Sequence, residues 1–174
     1  TGAKDYIFFI GTLEPRKNLS RLVQAYLQLP DSLRQKYKLV IAGKFGWGPK
    51  TLLEEIHNAP GVTYIESPDD EQRAKLYEGA AVLALPSLFE GFGIPALDAA
   101  KNNILVVTSK DSPMEEFLTK DGGVFVDPNN TDSISSGLAR ALTLSDDERT
   151  KIVSVAFKNT AEYSWEHTAE ILCG

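Results

Sequence analysis

The sequence predicts a doubly wound α/β domain built on a parallel sheet of about six strands. Three observations carry this expectation. Short aliphatic or β-branched runs recur at 6–10 (YIFFI), 39–42 (LVIA), 62–65 (VTYI), 82–85 (VLAL), 104–108 (ILVVT) and 124–126 (VFV), each with the length and composition of a strand. Most of these runs are continuously apolar rather than alternating, the pattern of strands covered by helices on both faces. Helix-like segments separate them, which gives the βαβα order of an open parallel sheet.

In chain order, the first strand leads through a loop to a helix marked by Leu19, Leu22, Val23, Tyr26 and Leu27 at helical spacing. Asn18 precedes that helix and is of a residue type suited to cap it. The second strand runs into a glycine-rich loop. The third is followed by Asp69-Asp70, which open a helix through Ala74, Leu76 and Tyr77. After the fourth strand a long loop reaches Pro95, suited to the first position of a further helix. Two helical patterns close the chain at about 131–144 and 146–163, with Ser145-Asp146 as the N-cap between them. No repeat, low-complexity tract or linker divides residues 1–174, so one domain is expected.

Composition narrows the chemistry. With 43% hydrophobic and 24% charged residues over 174 positions, the chain should bury about 70% of its unfolded surface without disulfides or a structural metal. Its single cysteine, Cys173, permits no internal disulfide, and His57 and His167 are too few for a usual zinc site, so neither redox nor metal chemistry is expected. A net charge of −6 and a pI of about 5.0 argue against nucleic acid as a partner. No apolar run approaches the roughly 18 residues that cross a bilayer, and Thr1-Gly2-Ala3-Lys4-Asp5 lacks the layout of a secretory signal. The chain reads as soluble and cytoplasmic. Its first residue is not Met, and the expectation is a piece of a longer protein.

In an open parallel sheet the ligand lies beyond the carboxyl ends of the strands. The loop after strand one, Gly11-Thr12-Leu13-Glu14-Pro15-Arg16-Lys17-Asn18, offers a glycine for close backbone approach and two cations for an anion such as phosphate. A solvated pair of basic residues is the simpler reading of this loop taken alone. Neither the GxGxxG nor the GxxxxGK[ST] pattern is present. The loop after strand two, Gly43-Lys44-Phe45-Gly46-Trp47-Gly48-Pro49, can carry Lys44 toward an anion or serve as a connector. A dehydrogenase would place an acid there, which disfavours NAD. The loop after strand four, Pro86 to Asp98, brackets Phe92 with Gly91 and Gly93 ahead of a helix start whose free N–H groups suit an anion or sugar hydroxyl. Glu90 and Asp98 put two carboxylates on the same side of the crevice as acceptors for hydroxyls; alternatively Asp98 favours the helix dipole and Glu90 is solvated.

Together these loops resemble the donor-binding domain of the retaining GT-B glycosyltransferases of group 1, also called family 4. The resemblance rests on IGTLEPRKN (10–18), LVIAGKFGW (39–47), VTYIESPDDEQ (62–72), LYEGAAVLALPSLFEGFGIPALDAA (76–100), VVTS (106–109), VFVDP (124–128) and YSWEHTA (163–169). It implies a Rossmann-like fold that forms one half of a GT-B enzyme, with an acceptor domain preceding it. It implies that Lys17 and Glu90 carry the catalytic roles, Lys17 on the donor diphosphate and Glu90 on the transferred sugar. Gly11, Thr12, Arg16, Lys44, Ile65, Gly91, Phe92, Gly93, Ile94 and Asp98 complete the implied donor site, with Asp98 at the nucleotide ribose. No cofactor or metal is implied, because protein cations meet the diphosphate charge.

The sequence departs from the family pattern in places. Asp98 stands where the family has Glu, and is shorter by one methylene. Thr12 stands where many relatives have a phosphate-binding Arg, which leaves more to Lys17, Arg16 or Lys44. Glu66 and Lys101-Asn102-Asn103 replace small residues. The implied reaction transfers a hexosyl group, with a leaning to mannosyl from GDP-mannose, to a carbohydrate or lipid-linked sugar acceptor held by the other domain. In the full-length protein, peripheral association at the inner membrane face is compatible with this. The isolated chain should bind donor weakly and turn over poorly or not at all. The rival reading is a noncatalytic Rossmann-like module that binds a nucleotide or anion.

Overall fold

A computed structural model describes residues 4–161 and 163. The strands are β1 (Tyr6–Ile10), β2 (Lys38–Gly43), β3 (Val62–Glu66), β4 (Ala80–Leu85), β5 (Leu105–Ser109) and β6 (Val124–Val126). The helices are α1 (Leu19–Leu27), α2 (Asp31–Lys36), α3 (Thr51–Asn58), α4 (Asp70–Gly79), α5 (Ile94–Lys101), α6 (Glu115–Leu118), α7 (Thr131–Thr143) and α8 (Asp146–Thr160), with a 3-10 turn at Pro15–Lys17. Each predicted strand is found within two residues of its expected bounds. Of the YSWEHTA run only Tyr163 lies among the described residues, and His167 and Cys173 lie outside them.

The six strands form one parallel sheet in the order β3-β2-β1-β4-β5-β6. Every residue of β4 and β5 is buried, which is why those runs carry no polar alternation. Helix α1 packs on α3 and α7, whereas α5 and α6 pack on α8, so the sheet has a helical layer on each face. The fully buried Phe8, Phe9, Leu22, Tyr26, Leu83 and Phe117 make up much of the core between them.

Local chemistry sets the helix boundaries. Asp69 and Gln72 form a reciprocal capping box at α4, and Ser145 and Glu148 form another at α8. Asn130 caps α7 through the amides of Asp132 and Ser133. Asn18 does not cap α1 as its type suggested. Its backbone is left-handed, at φ 60°, and its side chain makes no cap hydrogen bond. Instead Nδ2 donates to the carbonyls of Pro86 and Pro128, at 2.9 and 2.7 Å, and ties the β1 loop to the loops after β4 and β6.

The loops after β1 and β2 are zipped together. The Leu13 amide donates to Lys44 O and the Gly46 amide to Leu13 O, and Leu13 bridges Phe45. Gly43, at φ 145°, lies so close to Gly11 that a Cβ there would stand 1.9 Å from the Gly11 carbonyl oxygen. Only glycine permits that approach.

Candidate functional site

The sheet order reverses direction at β1, whose neighbours are β2 and β4. In open α/β sheets the crevice beyond the strand ends at such a reversal is where ligands bind. Two clefts open there. One, of about 470 Å³, is lined by Gly11, Arg73, Tyr77, Ile94, Asp98 and Asn102, among others. The second, of about 280 Å³, is lined by Gly11, Thr12, Lys44, Ser67, Pro68 and Arg73, among others. Ile10, Gly11 and Arg73 border both, so the end of β1 and one arginine of α4 join them into a single crevice.

Beside Gly11 stands a buried ion pair. Lys17 Nζ lies 2.7 Å from Glu90 Oε1 and 2.8 Å from Oε2, with both side chains less than a tenth exposed. Ser87 Oγ donates to Oε1 at 2.7 Å, and Arg16 reaches Oε2 at 3.5 Å while its Nε is held by Glu14 at 2.7 Å. The sequence offered Arg16 and Lys17 as free cations; in the folded chain each already has a carboxylate. A Cβ at Gly11 would lie 3.8 Å from Lys17 Cε, which places the buried pair next to the Gly11 wall of the crevice.

The turn from Glu90 into α5 has two unlike glycines. Gly93 is the N-cap residue at φ 87°, and a Cβ there would lie 2.5 Å from Met114 Cγ. Gly91 faces nothing within 4 Å. Phe92 between them rests on Phe117 and Tyr163, with ring centroids 5.6 and 5.8 Å away. Pro95 is the second helical residue rather than the first. The amides of Ala96 and Leu97 return to Gly93 O. Those of Gly91, Phe92, Gly93 and Ile94 have no acceptor among the described residues, so four donors gather at this turn.

Asp98 lines the larger cleft with Tyr77 and Arg73. Enclosure by the cleft wall pushes its carboxyl above the usual range, against the opposing pull of Lys101 and Arg73. The Tyr77 hydroxyl is pushed up still more strongly by burial, and further by Asp98; its ring is anchored edge-on against Phe8. Asp98 is an exposed residue at the rim of this cleft, past the first turn of α5, so it serves the cleft as an acceptor rather than the helix dipole.

Most residues named from the sequence converge here: Gly11, Thr12, Lys44, Ile94 and Asp98 on the clefts, Arg16, Lys17 and Glu90 on the ion pair, Gly91 and Gly93 on the turn. Two do not. Ile65 packs against the core, and Ser67 and Pro68 line the β3 side of the crevice in its place. Phe92 turns to the aromatic cluster of Phe117 and Tyr163. Arg73 is the residue that sequence reasoning missed. It sits one turn into the helix that follows the carboxyl end of β3. Among the described residues no three His, Cys, Asp or Glu side chains form a metal-ligand set, and no helix is long and apolar enough to cross a membrane.

An open parallel sheet in this strand order, with a polar crevice at its reversal point, defines a Rossmann-like ligand-binding domain. The chain belongs to the group 1 glycosyltransferases: residues 2–159 match the family described as "Glycosyl transferases group 1". It is 34% identical over 166 residues to O-antigen chain mannosyltransferase B of Escherichia coli, covering 93% of this chain and 43% of that protein. A glycosyltransferase of Methanocaldococcus jannaschii is 35% identical over 171 residues, covering 94% and 42%. Thus the chain spans less than half the length of these relatives. Its fold is shared with sucrose-phosphate synthase from Thermosynechococcus elongatus, at a TM-score of 0.81 and 21% identity over 97% of this chain and 44% of that one.

Proposed function

We propose that the chain is the donor-binding half of a retaining glycosyltransferase that moves a hexosyl group, mannosyl by preference, from a nucleotide-diphosphate sugar to an acceptor hydroxyl. The observation that carries this is the Lys17–Glu90 pair beside a two-part polar crevice at the sheet's reversal point. The preference for mannose leans on the mannosyltransferase relative; GDP as the carrier is carried over from the resemblance of the loops alone.

In this reading the nucleoside occupies the larger cleft, with Asp98 accepting from ribose hydroxyls. The diphosphate lies between Lys17, Lys44 and Arg73 and the free amides of the Gly91 to Ile94 turn. As the bond from the anomeric carbon to the phosphate oxygen breaks, negative charge develops on the departing nucleoside diphosphate, and these donors stabilise it. The acceptor oxygen attacks on the same face, and its proton passes to the departing phosphate. Glu90 orients the sugar through a hydroxyl. Protein cations take the role that a metal would otherwise fill, so no metal or cofactor is required. The acceptor, a carbohydrate or lipid-linked sugar, is held by the remaining part of a full-length enzyme; that enzyme is cytoplasmic, and peripheral association at the inner membrane face is compatible with this reading.

Calorimetric titration of this chain with GDP, UDP, ADP and their sugar conjugates tests the reading. One nucleotide series should bind, and Lys17→Ala and Arg73→Ala should each weaken it by about tenfold or more. Affinities indifferent to both variants would instead fit the noncatalytic module.

A further inference from the structure

We propose that Glu90 makes the site selective for a nucleotide that carries a sugar over the bare nucleoside diphosphate, because it holds Lys17 until a sugar hydroxyl takes the lysine's place. The inference rests on the donor-site reading above and deepens it. Both oxygens of Glu90 are occupied by Lys17 Nζ, at 2.7 and 2.8 Å, and the pair is over nine-tenths buried. Nζ keeps a third N–H, but its charge is already matched by Glu90 at 2.7 and 2.8 Å, so a phosphate that takes Lys17 as its own counter-ion must draw Nζ away from at least one of the two oxygens.

What remains for Glu90 is then the Ser87 hydroxyl and Arg16, which lies 3.5 Å away and is tethered to Glu14. A buried carboxylate stripped of its cation is strongly penalised. With its ribose hydroxyls in the larger cleft, a bare nucleoside diphosphate presents only acceptor oxygens and like charge at Glu90, so it cannot relieve the penalty. A hexose brings hydroxyl donors to the same place and can. Part of the attraction between Lys17 and phosphate is therefore cancelled unless sugar is present. Once the sugar has been transferred, Glu90 recaptures Lys17 and the spent nucleotide is released more readily.

Glu90→Gln isolates this effect, since it keeps the shape and the acceptor for Ser87 while removing the charge that holds Lys17. Titrations would compare wild type, Glu90→Gln and Lys17→Ala against GDP, UDP and ADP, their sugar conjugates, and inorganic pyrophosphate. Glu90→Gln should bind the cognate nucleoside diphosphate and pyrophosphate roughly tenfold more tightly than wild type, and its sugar conjugate more weakly. If Glu90→Gln weakens both forms alike, or leaves the bare diphosphate unchanged, the proposal is overturned while the donor site stands. A wild type that binds no nucleotide, or a Lys17→Ala variant indistinguishable from it, overturns the donor site and this inference together. Should Glu90→Gln fail to fold by circular dichroism, Glu90→Asp keeps the charge, retreats from Lys17 and must shift the two affinities in the same opposite directions.

Discussion

Lys17 and Glu90 lie 73 residues apart in sequence, yet Nζ contacts both carboxylate oxygens within 2.8 Å in a buried setting. Removing one partner strands the other, so Lys17→Met should lower unfolding stability by about 3–5 kcal/mol. Glu90→Gln, which leaves an acceptor for the lysine, should lose about 1–3 kcal/mol. The double variant Lys17→Met/Glu90→Met should be no worse than Lys17→Met alone, because neither charge is left unpaired. Denaturant unfolding of wild type, Lys17→Met, Glu90→Met and the double variant as a double-mutant cycle measures this. Additive losses would show that the two charges do not depend on each other.

Gly91 and Gly93 separate folding from binding. Gly93→Ala places a Cβ against Met114 in a backbone at φ 87°, and should lose about 2–4 kcal/mol from strain and overpacking. Gly91→Ala meets open space and should stay within about 0.5 kcal/mol of wild type. The same Gly91→Ala should weaken nucleotide-sugar binding, since the new methyl would stand where the ligand passes over the turn. Thermal melts and titrations of both variants give the comparison; a Gly91→Ala protein with unaltered affinity would move the sugar away from this turn.

Asp98 gives a pH-dependent stability of definite sign. Its carboxyl is raised by desolvation in the folded chain, so the folded state holds the proton more tightly than the unfolded one. The stabilising contribution is present at acid pH and is lost as pH rises through the raised value, leaving a penalty at neutral pH. Asp98→Asn should therefore melt slightly higher than wild type at pH 7, the gain held to about 1 °C by solvent at this exposed residue, and this advantage should vanish at pH below the ordinary carboxylate range. An equal offset at both pH values would mean that the cleft wall does not desolvate the group.

The strands were legible because their signal is local. Burial on both faces requires continuous apolar residues, and runs such as VLAL and ILVVT meet that requirement by themselves. The capping boxes of α4 and α8 were half legible, since Asp69 and Ser145 announce helix starts within a few residues of sequence. The site was legible as a set of loops and not as a set of contacts. Lys17 reads as a free cation because its partner is 73 residues away. Arg73 reads as helix surface because only the fold brings α4 against the end of β1. Ile65 is off the cleft for a different reason: it is still inside β3 and packs against the core, whereas the cleft lies beyond the strand's carboxyl end, where Ser67 and Pro68 line it.

Asn18 misled by type and is informative for that reason. Its left-handed backbone, at φ 60°, costs a residue without a short polar side chain or glycine's freedom about 1 kcal/mol. Its amide nitrogen donates to two proline carbonyls, one after β4 and one after β6, while Oδ1 accepts from Arg21 at 2.9 Å. Asn18→Ala removes both donated bonds and keeps the strain, so a loss of about 2–4 kcal/mol is expected. Asn18→Asp keeps the shape, the backbone preference and the Arg21 contact, yet turns an oxygen toward two carbonyl oxygens. If the side chain acted as a helix cap, Asp would serve as well as Asn. Because it acts as a donor to two loops, Asn18→Asp should be at least as destabilising as Asn18→Ala at pH 7, and should recover part of the loss on acidification, when a protonated carboxyl can donate once. Unfolding curves at two pH values decide between the roles, and an Asp variant as stable as wild type at neutral pH would restore the cap.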